Sequence, residues 1–516
     1  MKIQKLLTII FFAFILLVLA GCGFGGGSGE SGNAVSYEPS ASDPYSRVYE
    51  DGGYSSVGGY DATIASGQLT SKAWSDNENY NRWLSLVTPD ANNQNDHYLA
   101  SYYQAFLKKT NKLYSKNMVK VVVTKAEIPL EGVRIEASKQ NGDADEILFK
   151  GVTDSFGICY LFFKDETDAN IKLALYYGTE LFNYTIEAIP EDRTVNINLA
   201  EVAIRENPKQ LDLCVVFDTT GSMGDELEYL KVELRNVLEN VAEKTDFDIN
   251  LALIFYRDDG DEYVTRVYGF TNDLATQYAN LGLQSAKGGG DWPESVEVAL
   301  AKANELQWRT NSVKILIDIL DAPLHDTDAR CASFAKQVES FAAKGVRVIP
   351  VIASASVRSS KYSELLEFTM RTAALYTGGI YTYLTNDSGI GNHHDDPSTS
   401  DGITVEYLNK MLVRLILQYC TGERLDPESY YQQGTTTPTQ NDDQIIVHFD
   451  SAGGSAVNSQ LVDKGGKVSR PVDPTYEGYQ FVGWFYTKNG EITQFDFNQA
   501  VNETITLTAV WLKLNN

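Results

Sequence analysis

Three short stretches of this 516-residue chain carry oxygen donors in a pattern that suits a hard divalent cation. The first is Asp218-Thr219-Thr220-Gly221-Ser222-Met223, which directly follows the run Leu211 to Phe217, apolar apart from Asp212. The second is Gly288-Gly289-Gly290-Asp291-Trp292-Pro293-Glu294, and the third is Asp321-Ala322-Pro323, after the run Val313 to Leu320. No His or Cys occurs among these donors. Carboxylate and hydroxyl oxygens favour Mg2+, Ca2+ or Mn2+ and disfavour zinc. Each stretch also has a plainer reading by itself. Ser222 and Asp225 suit a helix N-cap and its third helical residue. Asp291 and Glu294 suit a capping box with Pro293 in the first turn, and Asp321 suits a turn before a proline.

The elements around these stretches put them in one place. Residues 208–422 alternate apolar runs with amphipathic ones. The spacing predicts strands at 211–217, 249–256, 264–270, 313–320, 346–352 and 380–384. Leu227, Leu230, Leu234, Val237 and Val241 share one helical face. Further helices are predicted near 294–306, 328–344, 362–376 and 403–419. Alternation of this kind implies a doubly wound, mostly parallel sheet, whose ligands bind outside the carboxyl ends of the strands. All three oxygen-rich stretches belong to that end.

In this order, at one end of one sheet, they resemble the metal-ion-dependent adhesion site of von Willebrand factor type A domains, with the DxTxS form at 218–222 carrying most of the likeness. The segments Leu384 to Gly391 and Val405 to Asn409 are similar to bacterial members of that family. The resemblance implies that the Thr220 and Ser222 hydroxyls bind the metal directly. Asp218 and Asp321 hold metal-bound waters or bind it in some states. One position stays open for an incoming carboxylate. Two features depart from the pattern. The middle loop often carries a threonine, and here Asp291 is the nearest candidate. Its extra negative charge lowers the metal's appetite for an acidic partner. Asp318 stands inside an otherwise apolar strand, where an unpaired carboxylate is costly, so a partner is expected for it. The sequence His393-His394-Asp395-Asp396 reads as a solvated loop.

The flanks are modular. Lys2 and Lys5 precede the apolar run Leu6 to Leu19, too short for a spanning helix and suited to a secretory signal. Its end, Leu19-Ala20-Gly21-Cys22, resembles the lipobox of bacterial lipoproteins, which implies cleavage after residue 21 and a lipid on Cys22. Residues 22–66 read as a flexible tether and 67–116 as a partly helical segment with Trp74, Trp83 and Phe106. Residues 117–203 alternate with period two, as in a β-sandwich. Pro129-Leu130-Glu131-Gly132-Val133 and Gly151-Val152-Thr153-Asp154-Ser155-Phe156-Gly157 resemble the carboxypeptidase regulatory-like, immunoglobulin-like fold. After a linker at 425–443, residues 444–514 look like the Listeria–Bacteroides repeat, on the runs Phe449 to Gly454, Gly478 to Trp484 and Ala509 to Trp511. The expected architecture is multidomain: a central α/β doubly wound, Rossmann-like von Willebrand type A sheet, flanked by an N-terminal β-sandwich and a small C-terminal β-rich domain.

A net charge of −26 offers no basic excess to displace counterions from phosphates, which argues against a nucleic acid partner. Cys159, Cys214, Cys331 and Cys420 are too scattered for a disulfide framework, and Cys214 reads as a core residue. No G-x-S-x-G elbow, no general base and no His beside the metal loops points to hydrolysis. The expectation is a binding protein rather than an enzyme, anchored by lipid to the outer face of the cell membrane. Its cofactor is Mg2+, with Mn2+ or Ca2+ as alternatives, and its partner a protein presenting a carboxylate. Alternatives are a surface assembly role in which the metal only stabilises the fold, and a metal-dependent hydrolase. Replacing Cys22 by Ser is expected to abolish labelling by a fatty-acid probe and to release the protein from membranes. Unchanged labelling and retention would contradict the anchor.

Overall fold

The structure is a computed structural model. It describes residues 67–89 and 99–514 apart from breaks at 142–143, 165–169, 207, 225, 291, 354–360, 389–393, 395–396, 398–401, 431–443, 453–456, 458–459, 472, 477–478 and 489–490. The signal segment 1–21, Cys22 and the rest of the tether, Asp225, Asp291 and most of the 425–443 linker therefore lie outside the described residues. Among the described residues, no helix is long and apolar enough to cross a membrane.

The chain opens with strand β1 (Thr70–Trp74) and helices α1 (Tyr80–Val87) and α2 (Ala100–Thr110). Eight strands follow: β2 (Met118–Lys125), β3 (Ile128–Pro129), β4 (Arg134–Asn141), β5 (Ala144–Val152), β6 (Ile158–Phe162), β7 (Ile171–Tyr177), β8 (Glu180–Ile186) and β9 (Thr194–Asn198). They form two four-stranded sheets. One runs β3-β2-β6 with β9 also on β2, and the other runs β5-β4-β7-β8. Ile171, Leu173, Leu175 and Tyr177 of β7 point inward with the period of two that a sheet with one covered face requires.

The central unit comprises β10 (Gln210–Asp218), α3 (Leu227–Lys244), β11 (Asp248–Tyr256), β12 (Thr265–Thr271), α4 (Leu274–Gly282), α5 (Val296–Glu305), β13 (Val313–Leu320), α6 (Asp328–Lys344), β14 (Val346–Ile352), α7 (Lys361–Thr377), β15 (Tyr381–Leu384), β16 (Glu406–Tyr407) and α8 (Leu408–Thr421). Its eight-stranded sheet has the order β12-β11-β10-β13-β14-β15-β1-β16. Strands β11, β10, β13, β14 and β15 are parallel, while β12 and β1 pair antiparallel with their neighbours. One face carries Leu213, Val215, Phe217 and Leu253, packed with α3 and α8. The other carries Cys214, Val216, Ile254 and Leu316, packed with α5, α6 and α7, and that core runs on into the sandwich. Burial on both faces explains why these strands read as continuous apolar runs rather than alternating ones.

Segment 67–116 carries two helices, and before them a strand of the central sheet that the sequence reading did not include. β1 has the sequence Thr-Ser-Lys-Ala-Trp, without apolar alternation. What holds it is backbone pairing, Ser71 with Leu384 through Trp74 with Tyr381, and the Glu233 carboxylate, which accepts the N–H groups of Gly67 (2.8 Å), Gln68 (2.8 Å) and Leu69 (3.3 Å). The two helices then lie on α6 and α7. Trp83 stacks at 6.4 Å on Phe368, and Phe106 meets Phe368 at 5.7 Å and Phe334 at 6.2 Å.

The C-terminal unit comprises β17 (Gln444–Asp450), β18 (Gln460–Asp463), β19 (Tyr479–Lys488), β20 (Glu491–Gln494) and β21 (Ile505–Lys513), in the order β18-β17-β21-β19-β20. Phe449, Trp484, Leu507 and Trp511 form its core. It touches the central unit where the Tyr407 hydroxyl donates to Asp450 Oδ1 (2.9 Å) and Thr506 Oγ1 donates to the Asp387 carbonyl (2.6 Å). Cys159, Cys214, Cys331 and Cys420 are buried free thiols. His394 departs from the solvated-loop reading: it is 3% exposed, and its backbone is held from both sides by the Asn386 amide.

A buried ion cluster ties α7 to the turn after β1. Arg371, fully buried, donates through Nε to Asp76 Oδ2 (2.9 Å) and through Nη1 to Glu367 Oε1 (2.8 Å). Removing Asp76 leaves Arg371 with the Glu367 carboxylate and takes the Asp76 acceptor from two of its guanidinium nitrogens, Nε and Nη2, in a medium that cannot solvate them. Asp76→Ala is therefore expected to destabilise the protein by about 3–5 kcal/mol, read as a fall in melting temperature. A loss below about 1 kcal/mol, the range of surface pairs, would contradict this.

Candidate metal centre

β10 ends on Asp218 and β13 ends one residue before Asp321. The two strands are parallel neighbours with Phe217 opposite Ile319, so both carboxylates emerge at the same end of adjacent strands. Asp218 is 0% and Asp321 1% exposed. Asp218 Oδ1 accepts the Thr220 N–H (2.8 Å) and the Thr220 hydroxyl (2.7 Å), and Thr220 Oγ1 lies 3.1 Å from Ser222 Oγ. Asp218, Thr220 and Ser222 thus form one chain of oxygens. The other oxygen of Asp218, Oδ2, is buried without a hydrogen-bond partner among the described residues.

The glycine-rich loop closes over this turn. Gly221 N donates to the Gly288 carbonyl (3.0 Å) and Lys287 N to the Thr219 carbonyl (3.0 Å). Gly289 has φ +75°, and a Cβ there would lie 3.3 Å from Thr220 Cβ and 3.0 Å from Glu294 Oε1. Only glycine lets the backbone come this close with that dihedral. Asp291 lies outside the described residues. The plainer readings of two stretches do not hold. Ser222 sits inside a 3-10 turn, Gly221–Gly224, and α3 begins later, at Leu227. Glu294 is not the third residue of a helix. Its N–H bonds to the Pro323 carbonyl, it bridges Leu324 in extended form, and α5 starts only after Ser295.

Glu294 is the residue that sequence reading placed in the wrong role. It is 3% exposed, beside Thr220 and Gly289, and its Oε2 has no partner among the described residues. Burial, and then the charges of Asp218, Asp258, Asp321 and Asp261, push its carboxyl up to about 10. The end of β11 was missed as well. Arg257 Nε donates to the Thr219 carbonyl (3.1 Å) and Nη2 to the Ser285 carbonyl (2.9 Å), clamping two loops. The Tyr263 hydroxyl lies 2.8 Å from Thr219 Oγ1. Asp258 Oδ1 pairs with His325 Nε2 (2.7 Å) and accepts from Ser295 Oγ (3.1 Å). A histidine does therefore stand beside the metal loops, because the chain after Asp321 turns back toward β11. The rule that ligands gather at strand ends also applies to β11, and Tyr256-Arg257-Asp258-Asp259 was the signal available there.

Among the described residues, no three His, Cys, Asp or Glu side chains gather as a ready-made metal cluster. The donor set is instead two carboxylates and two hydroxyls, all hard oxygens, with one buried carboxylate oxygen unused. These residues fit a small divalent cation.

A family model described as the von Willebrand factor A domain matches residues 212–386. Residues 212–386 form a von Willebrand factor A domain. Within it lie the oxygen-rich loops and nearly all of the five parallel strands. A second family model, the Listeria-Bacteroides repeat domain, matches residues 446–510, so the C-terminal unit is such a repeat. The chain is 31% identical over 140 residues to the alpha-protein kinase vwkA of Dictyostelium discoideum and 30% identical over 136 residues to a putative ariadne-like RING finger protein of Acanthamoeba polyphaga mimivirus. These matches cover 27% and 26% of this chain but only 22% and 13% of the two relatives. A solved structure, the conserved hypothetical protein BatB from Bacteroides thetaiotaomicron, is 15% identical, with 40% of this chain and 98% of that chain covered and a TM-score of 0.27.

The burial of Asp218 sets a pH dependence. Burial lifts its carboxyl to about 6, against the opposing pull of hydrogen bonds from Thr220 and of the Tyr256 hydroxyl. The folded state thus binds this proton more tightly than the unfolded chain does, whose aspartates titrate near ~3.9. Stability is present below pH ~4 and is lost as pH rises to about 6, on the order of 3 kcal/mol in all. In chelator, the gain in melting temperature of Asp218→Asn over wild type is expected to grow from pH 4 to pH 6.5. A gain that shrinks across that window would contradict this.

Proposed function

We propose that this chain is a lipid-anchored surface protein that binds a partner through a divalent cation held by its von Willebrand factor A domain. The observation that carries the reading is the buried, unpartnered Oδ2 of Asp218 beside the paired hydroxyls of Thr220 and Ser222. In this reading Thr220 and Ser222 hold Mg2+ through their hydroxyls, Asp218 and Asp321 neutralise it, and Asp291 is the candidate on the middle loop. When bound, the cation supplies an electrophile for a carboxylate on the partner. Hydroxyl ligands leave it under-neutralised.

The role proposed is binding without catalysis. The His325 imidazole near the loops has its Nε2 engaged by Asp258. Cys22 would carry the lipid and residues 22–66 would be the spacer that presents the domain at the cell surface. The sandwich packs on the central unit through a continuous core and would stiffen that presentation.

The test uses poly-aspartate as a carboxylate probe passed over immobilised full-length protein, in Mg2+ and in chelator. Expected is binding in Mg2+ that is lost in chelator and lost in Asp218→Ala. Mg2+ binding without any probe binding would favour the reading in which the metal only stabilises an assembly module. Probe binding indifferent to chelator would remove the metal from the account.

A further inference from the structure

The centre of β13 holds an aspartate where every argument from packing calls for an apolar side chain. Asp318 is flanked by Ile317 and Ile319, is 0% exposed, and has no hydrogen-bond partner for either carboxyl oxygen among the described residues. Its lateral neighbours offer nothing: Val216 on β10 and Pro350 on β14, the latter without an N–H. The partner that the sequence called for is not supplied by either flank.

Its location points to what it serves. Residues in register across parallel strands share a face, and so do positions two apart along one strand. Asp318 therefore stands on the same face as Val216 and, one step further along β10, Asp218. Tyr256, opposite Asp218 on β11, lies on that face too, and its hydroxyl is also buried. The Tyr256 phenol feels both Asp218 and Asp318. The unused oxygen of Asp218 thus has a second polar layer beneath it, made of Asp318 and Tyr256, inside an otherwise apolar core. An unpartnered buried carboxyl lowers stability, and groups that break a packing rule without local compensation concentrate at functional sites.

We propose that Asp318 is a positioning residue for the metal centre: through one buried water it hydrogen-bonds to Oδ2 of Asp218 and fixes the rotation of that carboxylate beneath the loops. The inference rests on the reading that Asp218 serves a divalent cation. Four carboxyl and phenol oxygens are too few to hold a second cation, which prefers six or more ligands. They are enough for a bridging water, which needs two to four polar partners.

The test compares full-length wild type, Asp318→Leu and Asp318→Asn by melting in chelator and by calorimetric titration with MgCl2. Asp318→Leu is expected to melt higher than wild type in chelator and to bind Mg2+ about 10–100-fold more weakly, the range for residues that orient metal ligands. Asp318→Asn keeps a donor for Asp218 and is expected to retain Mg2+ affinity to within about threefold. A purely structural residue would not move stability and affinity in opposite directions. An Asp318→Leu protein that binds Mg2+ like wild type, or that melts lower or fails to fold, overturns the proposal. A wild type that binds no Mg2+ removes the reading of the site, and this inference falls with it.

Discussion

Two carboxylates, Asp218 and Asp321, are held out of water at the ends of adjacent parallel strands, and much of the central domain is arranged around that cost. Burial disfavours each charge, and neighbouring charges disfavour each other. The protein answers with hydrogen bonds to one oxygen of Asp218, with a glycine loop close enough to seal the turn, and with the Arg257 guanidinium holding two loops by their carbonyls. Nothing in that set satisfies the second oxygen of Asp218. A cation is the economical completion of such a site, because it relieves repulsion that no single hydrogen bond can. Linkage sets the scale: a ligand at ~100 times its dissociation constant contributes about 2.7 kcal/mol.

The site depends on a sheet that is assembled from distant pieces. β1, from residues 70–74, lies between β15 and β16, and the whole sandwich intervenes before β10 begins. The sandwich is not a loosely strung bead. Phe162 stacks on Tyr376 of α7 at 4.4 Å, and the Arg347 guanidinium donates to the Val152 carbonyl at 2.7 Å. Aromatic overlap and a partly buried charge-assisted bond at one interface favour joint rather than independent motion of the two units.

Legibility in the sequence followed burial. Strands covered on both faces, such as Leu211 to Phe217 and Val313 to Leu320, announce themselves as apolar runs, and α3 announces itself by the spacing of Leu227, Leu230 and Leu234. β1 and β16 do not, since five and two residues held by backbone pairing and by Glu233 leave no side-chain period. α4 was also unread: it has nine residues and buries only Gln277 and Leu281. In the site, Asp218, Thr220, Ser222 and Asp321 were legible because one spacing fixes three of them and a strand end fixes the fourth. Glu294 was hidden behind a capping-box pattern whose helix starts later than the pattern suggests. Asp258 and His325 were hidden because their meeting depends on how two loops turn, which strand periodicity does not encode.

The central claim is that one divalent cation sits among these oxygens, and anomalous diffraction from crystals of the protein grown with Mn2+ addresses it most directly. The account predicts a single strong peak at the carboxyl end of β10 and β13, about 2 Å from the Thr220 and Ser222 hydroxyl oxygens and adjacent to Asp218 and Asp321. A map with no peak there, or with manganese bound only at surface carboxylates remote from residues 218–222, would contradict it.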